Sequence, residues 1–398
     1  EESGYSVLDM GVEFGTLTAR DRDTGETIEI TTLRTGERYH PGSRHPKVTF
    51  GHDLEDDLSR RDFTVNAMAL DEEGRLLDPL GGVRDLRAGI LRTPGDPDVS
   101  FREGPLRILR GFRFMASLGF ALEKETFRAA RDHAPELDFV AGERKQKEMN
   151  LLLSAPGERL PAALEAMLDA GVLLNLLPEL ADLTALRGIQ QGRFHHLDPW
   201  EHTLAVVSSV PPDPLLRWAA LFHDAGKGSA MAADVRQGPH FRGHEKIGAE
   251  LAASAAESMR FSRAWRRSLV FLVKNHMRPV LYRSDWSEGA VRRLAAAAGE
   301  DLDRLLALAE GDVRSKTPDS VSGGLALLSE LRNRLKGREQ RTRLLARGTG
   351  RALQEALGLS GKRLAETVAR LEDGVLEGAL PREPDLDECL RFLAPSGE

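Results

Sequence analysis

The sequence predicts an α+β chain that is mostly helical, with a small β-region near its N-terminus. Residues 7–32 form two β-type segments around a charged turn that contains Gly25, a pattern typical of a β-hairpin. Residues 126–186 place apolar side chains at helical spacing with few helix breakers, and further helices are predicted at 325–335 and 361–376. Helix therefore dominates the chain after the first hairpin.

Length and composition indicate several domains of ordinary polarity. The chain has 398 residues and a formal charge of −7, so it is not basic as a whole, and any contact with a nucleic acid would have to come from local arginine clusters. The single cysteine, Cys389, excludes an internal disulfide, and no apolar run reaches the length of a membrane span. We expect a cytoplasmic protein. The chain begins without methionine, which leaves room for residues upstream of Glu1.

The most informative stretch runs from Ser59 to Phe114. Arg61 and Asp62 place a guanidinium fork beside a carboxylate, a combination that suits a ribose and a phosphate. Downstream, Arg107, Arg110 and Arg113 recur at every third position of a predicted helix whose other face is apolar. Guanidinium groups on a packed helix can hold a triphosphate and donate to a base edge. A solvated arginine face is the alternative on these residues alone.

Three motifs in this stretch carry a family resemblance. Residues 60–69 read Arg-Arg-Asp-Phe-Thr-Val-Asn-Ala-Met-Ala, residues 78–82 read Asp-Pro-Leu-Gly-Gly, and Glu103 precedes Arg107 in a Glu-x-x-x-Arg pattern. From about Gly11 to Arg144 the chain resembles the RNA 3'-end nucleotidyltransferases that include CCA-adding enzymes, A-adding and CC-adding enzymes, and poly(A) polymerases. The resemblance implies a β-polymerase-like head with a mixed sheet and metal-dependent transfer of CMP and AMP from CTP and ATP to the 3' end of tRNA.

The resemblance also implies roles for individual residues. Glu29 corresponds to the third carboxylate that holds Mg²⁺, although an outward-facing strand glutamate is the alternative. Arg61, Asp62 and Asn66 would address the nucleotide sugar and phosphates. Arg107 would address the base, and Arg110 and Arg113 would neutralise the triphosphate. Glu103 of the same motif is a further expected nucleotide-binding residue.

The two other metal-binding carboxylates of the family form an Asp-x-Asp that would precede Ser3. Asp21 and Asp23 do not replace it, because they stand in the predicted hairpin turn, where aspartates bond their own backbone. One glutamate cannot hold two metal ions for phosphoryl transfer. We expect the missing pair in a segment upstream of this chain; natural degeneration of the site is the alternative.

Two features bear on the product. Gly104 stands where the family usually carries an aspartate that, with the arginine, recognises the Watson–Crick edges of C and A. Base discrimination would then rest on Arg107 and backbone groups, unless a nearby acid or a water substitutes. Residues 35–48 are predicted to be a loop of the length found in enzymes that add the terminal A. The open products are CCA, the terminal A alone, and poly(A).

A second constellation consists of histidines and aspartates in a fixed order. Imidazole and carboxylate are ligands of divalent metals that activate water. The series consists of His202, His223, Asp224, His244, His276 and Asp312. With Gly226 and Lys227 shortly after the adjacent pair His223-Asp224, it resembles the HD phosphohydrolases over residues 190–320.

That resemblance implies a first metal, such as Mg²⁺, Mn²⁺ or Ni²⁺, on His202, His223, Asp224 and Asp312. His244 and His276 would complete a second site or bind phosphate, and Lys227 would steady charge on a phosphoryl oxygen. Phosphatase and 2',3'-cyclic phosphodiesterase activity at RNA ends would follow. A purely structural metal site is the alternative.

The C-terminal part carries a basic run that could follow the backbone of the tRNA acceptor arm or form a solvated helix face: Arg334, Lys336, Arg338, Arg341 and Arg343. The predicted order is a partial head at 1–80, a helical neck and body at 81–189, an HD domain at 190–320 and a helical basic tail at 321–398. The expected partners are tRNA, CTP and ATP, without DNA or a membrane. An HD hydrolase with an inactive head and a non-catalytic RNA-binding protein remain as alternatives.

Overall fold

The computed structural model describes residues 4–8, 15–38, 47–191, 196–234, 238–339, 345–346, 348–381 and 383–394. Two compact units are present. The first contains Glu1–Ala181, Pro212–Pro214 and Ser254–Arg263, and the second contains Asp182–Pro211, Leu215–Ala253 and Ala264–Glu398. Within the described ranges, no helix combines the length and the apolar character needed to cross a membrane.

The first unit begins with a three-stranded antiparallel sheet. Its strands are β1 (Tyr5–Leu8), β2 (Thr16–Asp21) and β3 (Thr27–Thr31), in the order β1-β2-β3. The turn between β2 and β3 is held by Asp21, whose carboxylate accepts from the backbone N–H groups of residues 23 and 24 at 2.9 and 2.8 Å. The predicted hairpin is confirmed, and Asp21 serves the turn.

Four short strand pairs complete the described β-structure: β4 (Arg34–Arg38) with β5 (Lys47–Phe50), β6 (Ala69–Leu70) with β7 (Leu76–Leu77), β8 (Ile90–Leu91) with β9 (Ala121–Leu122), and β10 (Ala232–Asp234) with β11 (Gly238–His240). Only the pair of β8 with β9 is parallel, so the described β-structure is a set of small separate sheets rather than one mixed sheet. The predicted loop at 35–48 is wrong at both ends, because β4 and β5 pair there; residues 39–46 lie outside the described ranges.

The helices of the first unit follow the β-structure: α1 (Leu54–Ser59), α2 (Gly82–Ala88), α3 (Pro97–Glu103), α4 (Leu106–Leu118), α5 (Lys124–Asp132), α6 (Gly142–Leu153), α7 (Leu160–Asp169) and α8 (Val172–Leu176). Helix α4 is the central one and packs on α6 and α7. Its apolar face is almost fully buried at Ile108, Leu109 and Phe112, which leaves the opposite face to the arginines.

The Asp-Pro-Leu-Gly-Gly motif has a structural explanation. The Asp78 carboxylate accepts from the first N–H groups of α2, at 2.6 Å from Gly82 N and 3.0 Å from Val83 N. Gly81 takes a left-handed φ of 74°. A Cβ at Gly82 would lie 2.2 Å from Thr64 O, so only glycine lets α2 pack this close to the Arg-Arg-Asp segment.

The helices that follow are α9 (Ala181–Thr184), α10 (Pro199–Ser209), α11 (Pro214–Phe222), α12 (Lys227–Ala230), α13 (His244–Ser258), α14 (Arg263–Asn275), α15 (Met277–Val280), α16 (Glu288–Ala298), α17 (Leu302–Arg314), α18 (Pro318–Glu339), α19 (Thr349–Leu357), α20 (Gly361–Leu376) and α21 (Leu386–Leu393). The predicted helix at 325–335 lies inside the longer α18, and the helix predicted at 361–376 is α20. Trp200, Trp218 and Phe222 form much of the core around α10 and α11. A smaller core surrounds Leu353, Leu371 and Cys389. The mostly helical fold class is confirmed.

Candidate functional sites

The first unit contains a cleft of about 820 Å³. This volume lies in the range of small-molecule sites. The cleft is lined by Thr16, Glu29, Thr31, Leu33, Arg34, Asp57, Arg60, Arg61, Asp62, Asn66, Gly104, Leu106, Arg107, Arg110, Phe114 and Arg144. Six of these are arginines and three are carboxylates, an excess of three positive charges that favours a polyanion.

Asp62 uses both carboxylate oxygens within the protein. Its Oδ1 accepts from Phe63 N at 2.9 Å and from Asn66 Nδ2 at 3.1 Å, and its Oδ2 accepts from Arg110 Nε at 2.7 Å. Asp62 is only 8% exposed. The geometry therefore gives Asp62 the task of orienting Arg110 and Asn66 toward the cleft, rather than a free acceptor for the ribose.

Asp57 is a functional candidate that the sequence reasoning missed. Its Oδ1 lies 2.8 Å from Arg60 Nη2, and its Oδ2 lies 3.3 Å from Arg61 Nη2. Burial alone would raise the pKa of Asp57, but the hydrogen bonds from Arg60 and from Arg34 N outweigh it and lower that pKa. Asp57 stands three and four residues before the two arginines, and this helical spacing could have predicted the contacts.

Arg107 is anchored before any ligand binds. Its Nη1 donates to Ser100 Oγ at 2.9 Å, and its Nη2 donates to Arg60 O at 2.5 Å. Gly104 lies directly beside it, because a Cβ there would be 3.1 Å from Arg107 Nε. Arg107 is the residue predicted to recognise the base, and Gly104 is the position where the sequence departs from the family motif. The two lie side by side in the lining of the cleft.

Two predicted nucleotide-binding residues are absent from the lining of this cleft. Arg113 Nε lies 3.1 Å from Glu148 Oε2, and its guanidinium covers the Phe114 ring at 4.1 Å. Glu103 is exposed at the end of α3. Helical geometry explains why Arg113 does not line the cleft with Arg107. Three residues turn a helix by about 300°, so two such steps leave the Arg113 side chain about 120° away from that of Arg107.

Glu29 lies on exposed strand β3 and lines the same cleft as Arg61 and Arg107. Thr31, two positions along the strand, lines it as well, as expected for side chains on one face of a strand. The groups of three or more convergent metal-ligating side chains found in the described ranges do not include Glu29. Its assignment as a magnesium ligand stays a prediction.

The second unit brings the predicted histidine–aspartate series together. We call these six residues the histidine–aspartate centre: His202, His223, Asp224, His244, His276 and Asp312, all buried. Two groups within it could each hold a cation, His202 with His223 and Asp312, and Asp224 with His244 and His276. The partition differs from the predicted one, because Asp224 groups with His244 and His276 instead of with His202, His223 and Asp312.

Asp224 faces the two groups with different oxygens. Its Oδ2 lies 3.2 Å from His223 Nε2 and 3.5 Å from His202 Nε2, whereas its Oδ1 lies 3.3 Å from His244 Nε2. Burial alone would raise the pKa of Asp224, but the nearby His223 and Lys227 hold it well below its usual range. An ionised carboxylate in this position can serve as a ligand shared by two cations.

The hydrogen bonds at the outer nitrogens fix the orientation of the imidazoles. Nδ1 lies 2.7 Å from Ala220 O in His223, 2.8 Å from Phe241 O in His244 and 2.7 Å from Val273 O in His276. A carbonyl can only accept, so each Nδ1 carries the hydrogen and each neutral ring presents the lone pair of Nε2 inward.

Ser315 performs the same task for His202. Its hydroxyl donates to Asp312 O at 2.8 Å and therefore accepts from His202 Nδ1 at 2.9 Å. The inward nitrogens then meet in pairs, His223 with His202 at 3.3 Å and His244 with His276 at 3.2 Å. Two lone pairs cannot hydrogen-bond to each other, so a cation between them satisfies both. The donor set fits a divalent metal.

Two lysines contact the aspartates of this centre. Lys227 Nζ lies 2.5 Å from Asp224 Oδ2 and donates to Gln191 Oε1 at 2.5 Å. Lys316 Nζ lies 3.1 Å from Asp312 Oδ2. Sequence reasoning named Lys227 but missed Lys316 and Ser315. Their positions three and four residues after Asp312, at the end of α17, were the available signal.

We expect the metal-free second unit to lose stability in mild acid. Burial lowers the pKa of His276 to about 3 and that of His202 below its ordinary value, so the unfolded chain takes up their protons first as pH falls below 6.5. Each such histidine removes about 1.4 kcal/mol per pH unit within its window. Burial lowers the pKa of His244, but the hydrogen bond with Asp224 raises it by more. Protonation of His244 therefore stabilises the folded unit as the pH falls, which offsets the loss from one of the other two histidines.

Urea unfolding with a chelator at about pH 7.5 and about pH 5 measures this loss. His276→Asn should reduce the pH dependence, and saturating Mn²⁺ should raise stability most at the higher pH. Equal unfolding free energies for the metal-free protein at both pH values would contradict the expectation.

The predicted RNA-binding residues differ in their contacts and exposure. Arg334 is occupied within the second unit, since its guanidinium donates to Glu288 Oε1 at 2.6 Å, Tyr282 Oη at 2.9 Å and Trp286 O at 2.7 Å. Lys336 is exposed on α18. Arg338 belongs to the same helix, but its side chain, like Arg341 and Arg343 as a whole, lies outside the described residues. The contacts of Arg334 give it a structural task within the second unit, and its predicted phosphate contact stays a prediction.

Comparison with known families gives three matches along the chain. Residues 2–92 match the poly A polymerase head domain, residues 119–184 the probable RNA and SrmB-binding site of polymerase A, and residues 200–310 the HD domain.

Individual relatives agree with these matches. The chain is 36% identical over 349 residues to an A-adding tRNA nucleotidyltransferase of Deinococcus radiodurans, which covers 83% of this chain and 77% of that protein. It is 40% identical over 219 residues to a CCA-adding enzyme of Streptococcus pneumoniae, and this match spans about half of each, 55% and 52%. The Bacillus stearothermophilus CCA-adding enzyme, solved in complex with CTP, superposes with a TM-score of 0.65 and 26% identity over 95% of this chain and 81% of that one.

Proposed function

The chain belongs to the family of CCA- and A-adding tRNA nucleotidyltransferases with an HD domain, and we propose that its arginine-lined cleft binds CTP or ATP for addition to the 3' end of tRNA. The observation that carries the proposal is the set of six arginines and Glu29 around one cleft. CCA-adding and A-adding enzymes both add the terminal A. The Deinococcus radiodurans relative, which is matched over 77% of its length, is named as A-adding.

The residues divide the work in the following way. Arg61 and Arg110 would hold the triphosphate, because both line the cleft and are oriented by buried carboxylates. Arg107, anchored by Ser100, would donate to the base edge. The oxygen of the tRNA 3' hydroxyl would attack the α-phosphorus and lose its proton to solvent. One P–O bond would form, and pyrophosphate would leave with the electrons of the P–O bond that breaks.

Mg²⁺ is the metal we expect in the head, where it would neutralise phosphate charge. Glu29 would supply one carboxylate. Incubation of the full-length protein with Mg²⁺, labelled CTP or ATP, and tRNA that lacks either its whole CCA end or only the final A tests the assignment. AMP on the second tRNA alone identifies an A-adding enzyme; CMP and AMP on the first identify CCA addition; a long A tail identifies a poly(A) polymerase.

A second activity is proposed for the histidine–aspartate centre, because its four inward Nε2 atoms and two ionised carboxylates form a complete donor set. A divalent metal such as Mg²⁺, Mn²⁺ or Ni²⁺ held there would activate water for hydrolysis of a phosphate or a 2',3'-cyclic phosphate at an RNA end. Lys227, held by Asp224 and Gln191, would face the developing charge.

Ring opening of tRNA with a 2',3'-cyclic end and phosphate release from tRNA with a terminal phosphate, each measured with each metal, test this second activity. Release without nucleotide incorporation would leave an HD hydrolase with an inactive head. Neither reaction, with tRNA still bound, would leave an RNA-binding protein. We propose domain boundaries at 1–80, 81–189, 190–320 and 321–398. We also propose a cytoplasmic location and the tRNA acceptor arm as the partner.

Replacing Gly104 by aspartate should sharpen base selection. The backbone φ of −144° admits a side chain, and the nearest atoms belong to the flexible Arg107 side chain, which can move by a few tenths of an ångström. A carboxylate there accepts from the amino groups of C and A and repels the carbonyl oxygens of U and G. We expect the preference for CTP and ATP over UTP and GTP to rise about tenfold.

Single-nucleotide incorporation by the full-length protein measures this preference. Gly104→Ala is the matched control, since it adds the same Cβ without the carboxylate. Equal effects of alanine and aspartate would mean that displacement of Arg107, not hydrogen bonding to the base, changes the selection.

A further inference from the structure

The two aspartates of the histidine–aspartate centre are each matched by one ammonium group, and the two lysines differ in their freedom. Lys227 is 5% exposed and is held from two directions, by Asp224 and by Gln191. Lys316 contacts Asp312 at 3.1 Å, and its side chain is 16% exposed, so it lies nearer to the solvent. A lysine stem with this much freedom can change partner without repacking of the core.

The charges of the centre explain why Lys316 would change partner. With neutral imidazoles, the two carboxylates and the two ammonium groups balance. A divalent cation adds two positive charges to a buried region, and an uncompensated buried charge is unfavourable. A phosphate group, with one or two negative charges, restores the balance.

The contacts of Asp312 identify the group that is released. Its Oδ1 lies 3.2 Å from His202 Nε2, and its Oδ2 is used by Lys316. A cation that takes Oδ1 of Asp312 as a ligand neutralises charge on that carboxylate and weakens its attraction for Lys316 at Oδ2. The Lys316 ammonium then becomes available beside the metal-binding donors, where a phosphate oxygen of the substrate must lie.

We propose that Lys316 is a phosphate-binding residue of the histidine–aspartate centre, which contacts the non-bridging oxygens of an RNA-end phosphate or cyclic phosphate. This inference deepens and rests on the proposed hydrolase function. The competing explanation is an ordinary pair of Asp312 and Lys316 four residues apart that stabilises the end of α17.

The test uses the full chain with Lys316→Met and Lys316→Arg, and Lys362→Met as the control, because Lys362 is an exposed lysine of the same unit. Calorimetry measures binding of inorganic phosphate to the Mn²⁺-loaded protein and binding of Mn²⁺ to the metal-free protein. Hydrolysis of 2',3'-cyclic AMP to the nucleoside monophosphate gives KM and kcat.

We expect Lys316→Met to weaken phosphate binding and raise KM by about tenfold or more, the loss of one charge-assisted hydrogen bond. Affinity for Mn²⁺ should be unchanged or higher, because a competing cation is removed. Lys316→Arg should recover most of the phosphate affinity, and Lys362→Met should match the wild type.

Unchanged phosphate affinity and KM in Lys316→Met would overturn the inference, as would a loss of Mn²⁺ binding or thermal stability that accounts for the whole effect. Wild-type protein that binds phosphate but hydrolyses neither the cyclic nucleotide nor phosphate-bearing tRNA ends would defeat the proposed hydrolase function and leave the binding role of Lys316 standing. Metal-loaded wild-type protein that binds no phosphate would overturn the inference as well.

Discussion

Replacing His223 by alanine should abolish phosphate release while nucleotide addition to tRNA continues. The His223 Nε2 atom faces both His202 Nε2 at 3.3 Å and Asp224 Oδ2 at 3.2 Å, so its loss removes an inward donor next to the shared carboxylate. Losing an outer-shell partner of a metal ligand already costs about 10–100-fold, and loss of a ligand itself should exceed about 100-fold. The cleft with its arginines belongs to the other unit and retains its residues.

Parallel assays of the full-length protein measure both reactions, with calorimetric Mn²⁺ titration as a third reading. His196→Ala is the matched control, because His196 is exposed in the same unit and belongs to neither metal-binding group. Wild-type phosphate release by His223→Ala would show that the centre is not the hydrolytic site. Equal loss of both reactions would point to misfolding.

The second large effect is expected at Arg110. Arg110→Met should lower nucleotide incorporation about 100-fold, the cost of removing one fixed donor from developing phosphate charge. Asp62 holds this guanidinium at 2.7 Å, so Asp62→Asn should produce part of the same loss by freeing the side chain. The double variant should fall short of the sum of the two free-energy changes, because both act through one contact.

Steady-state incorporation of CMP and AMP by the full-length protein, together with binding of CTP and ATP, tests this chain of effects. Arg102→Met, an exposed arginine on α3 outside the cleft lining, should behave as the wild type. Additive losses in the double variant would show that Asp62 contacts the nucleotide directly. Wild-type incorporation by Arg110→Met would remove α4 from the triphosphate site.

Much of the candidate sites could be predicted from the sequence because their signals are local. The hairpin turn at Asp21, the apolar face of α4 and the order of the six residues of the histidine–aspartate centre depend on neighbours within a few positions or on residue type. The family resemblance rests on the same kind of signal. The mostly helical class and the family are therefore already fixed by local patterns and motifs.

Only the tertiary structure decided where individual side chains point. Arg113 pairs with Glu148 and Arg334 with Glu288, although periodicity and charge predicted phosphate contacts for both. Ser315 meets His202, which lies 113 positions earlier in the chain. The physical reason is that a helix fixes the angles between its own side chains, whereas packing of elements distant in sequence decides which partner each face meets.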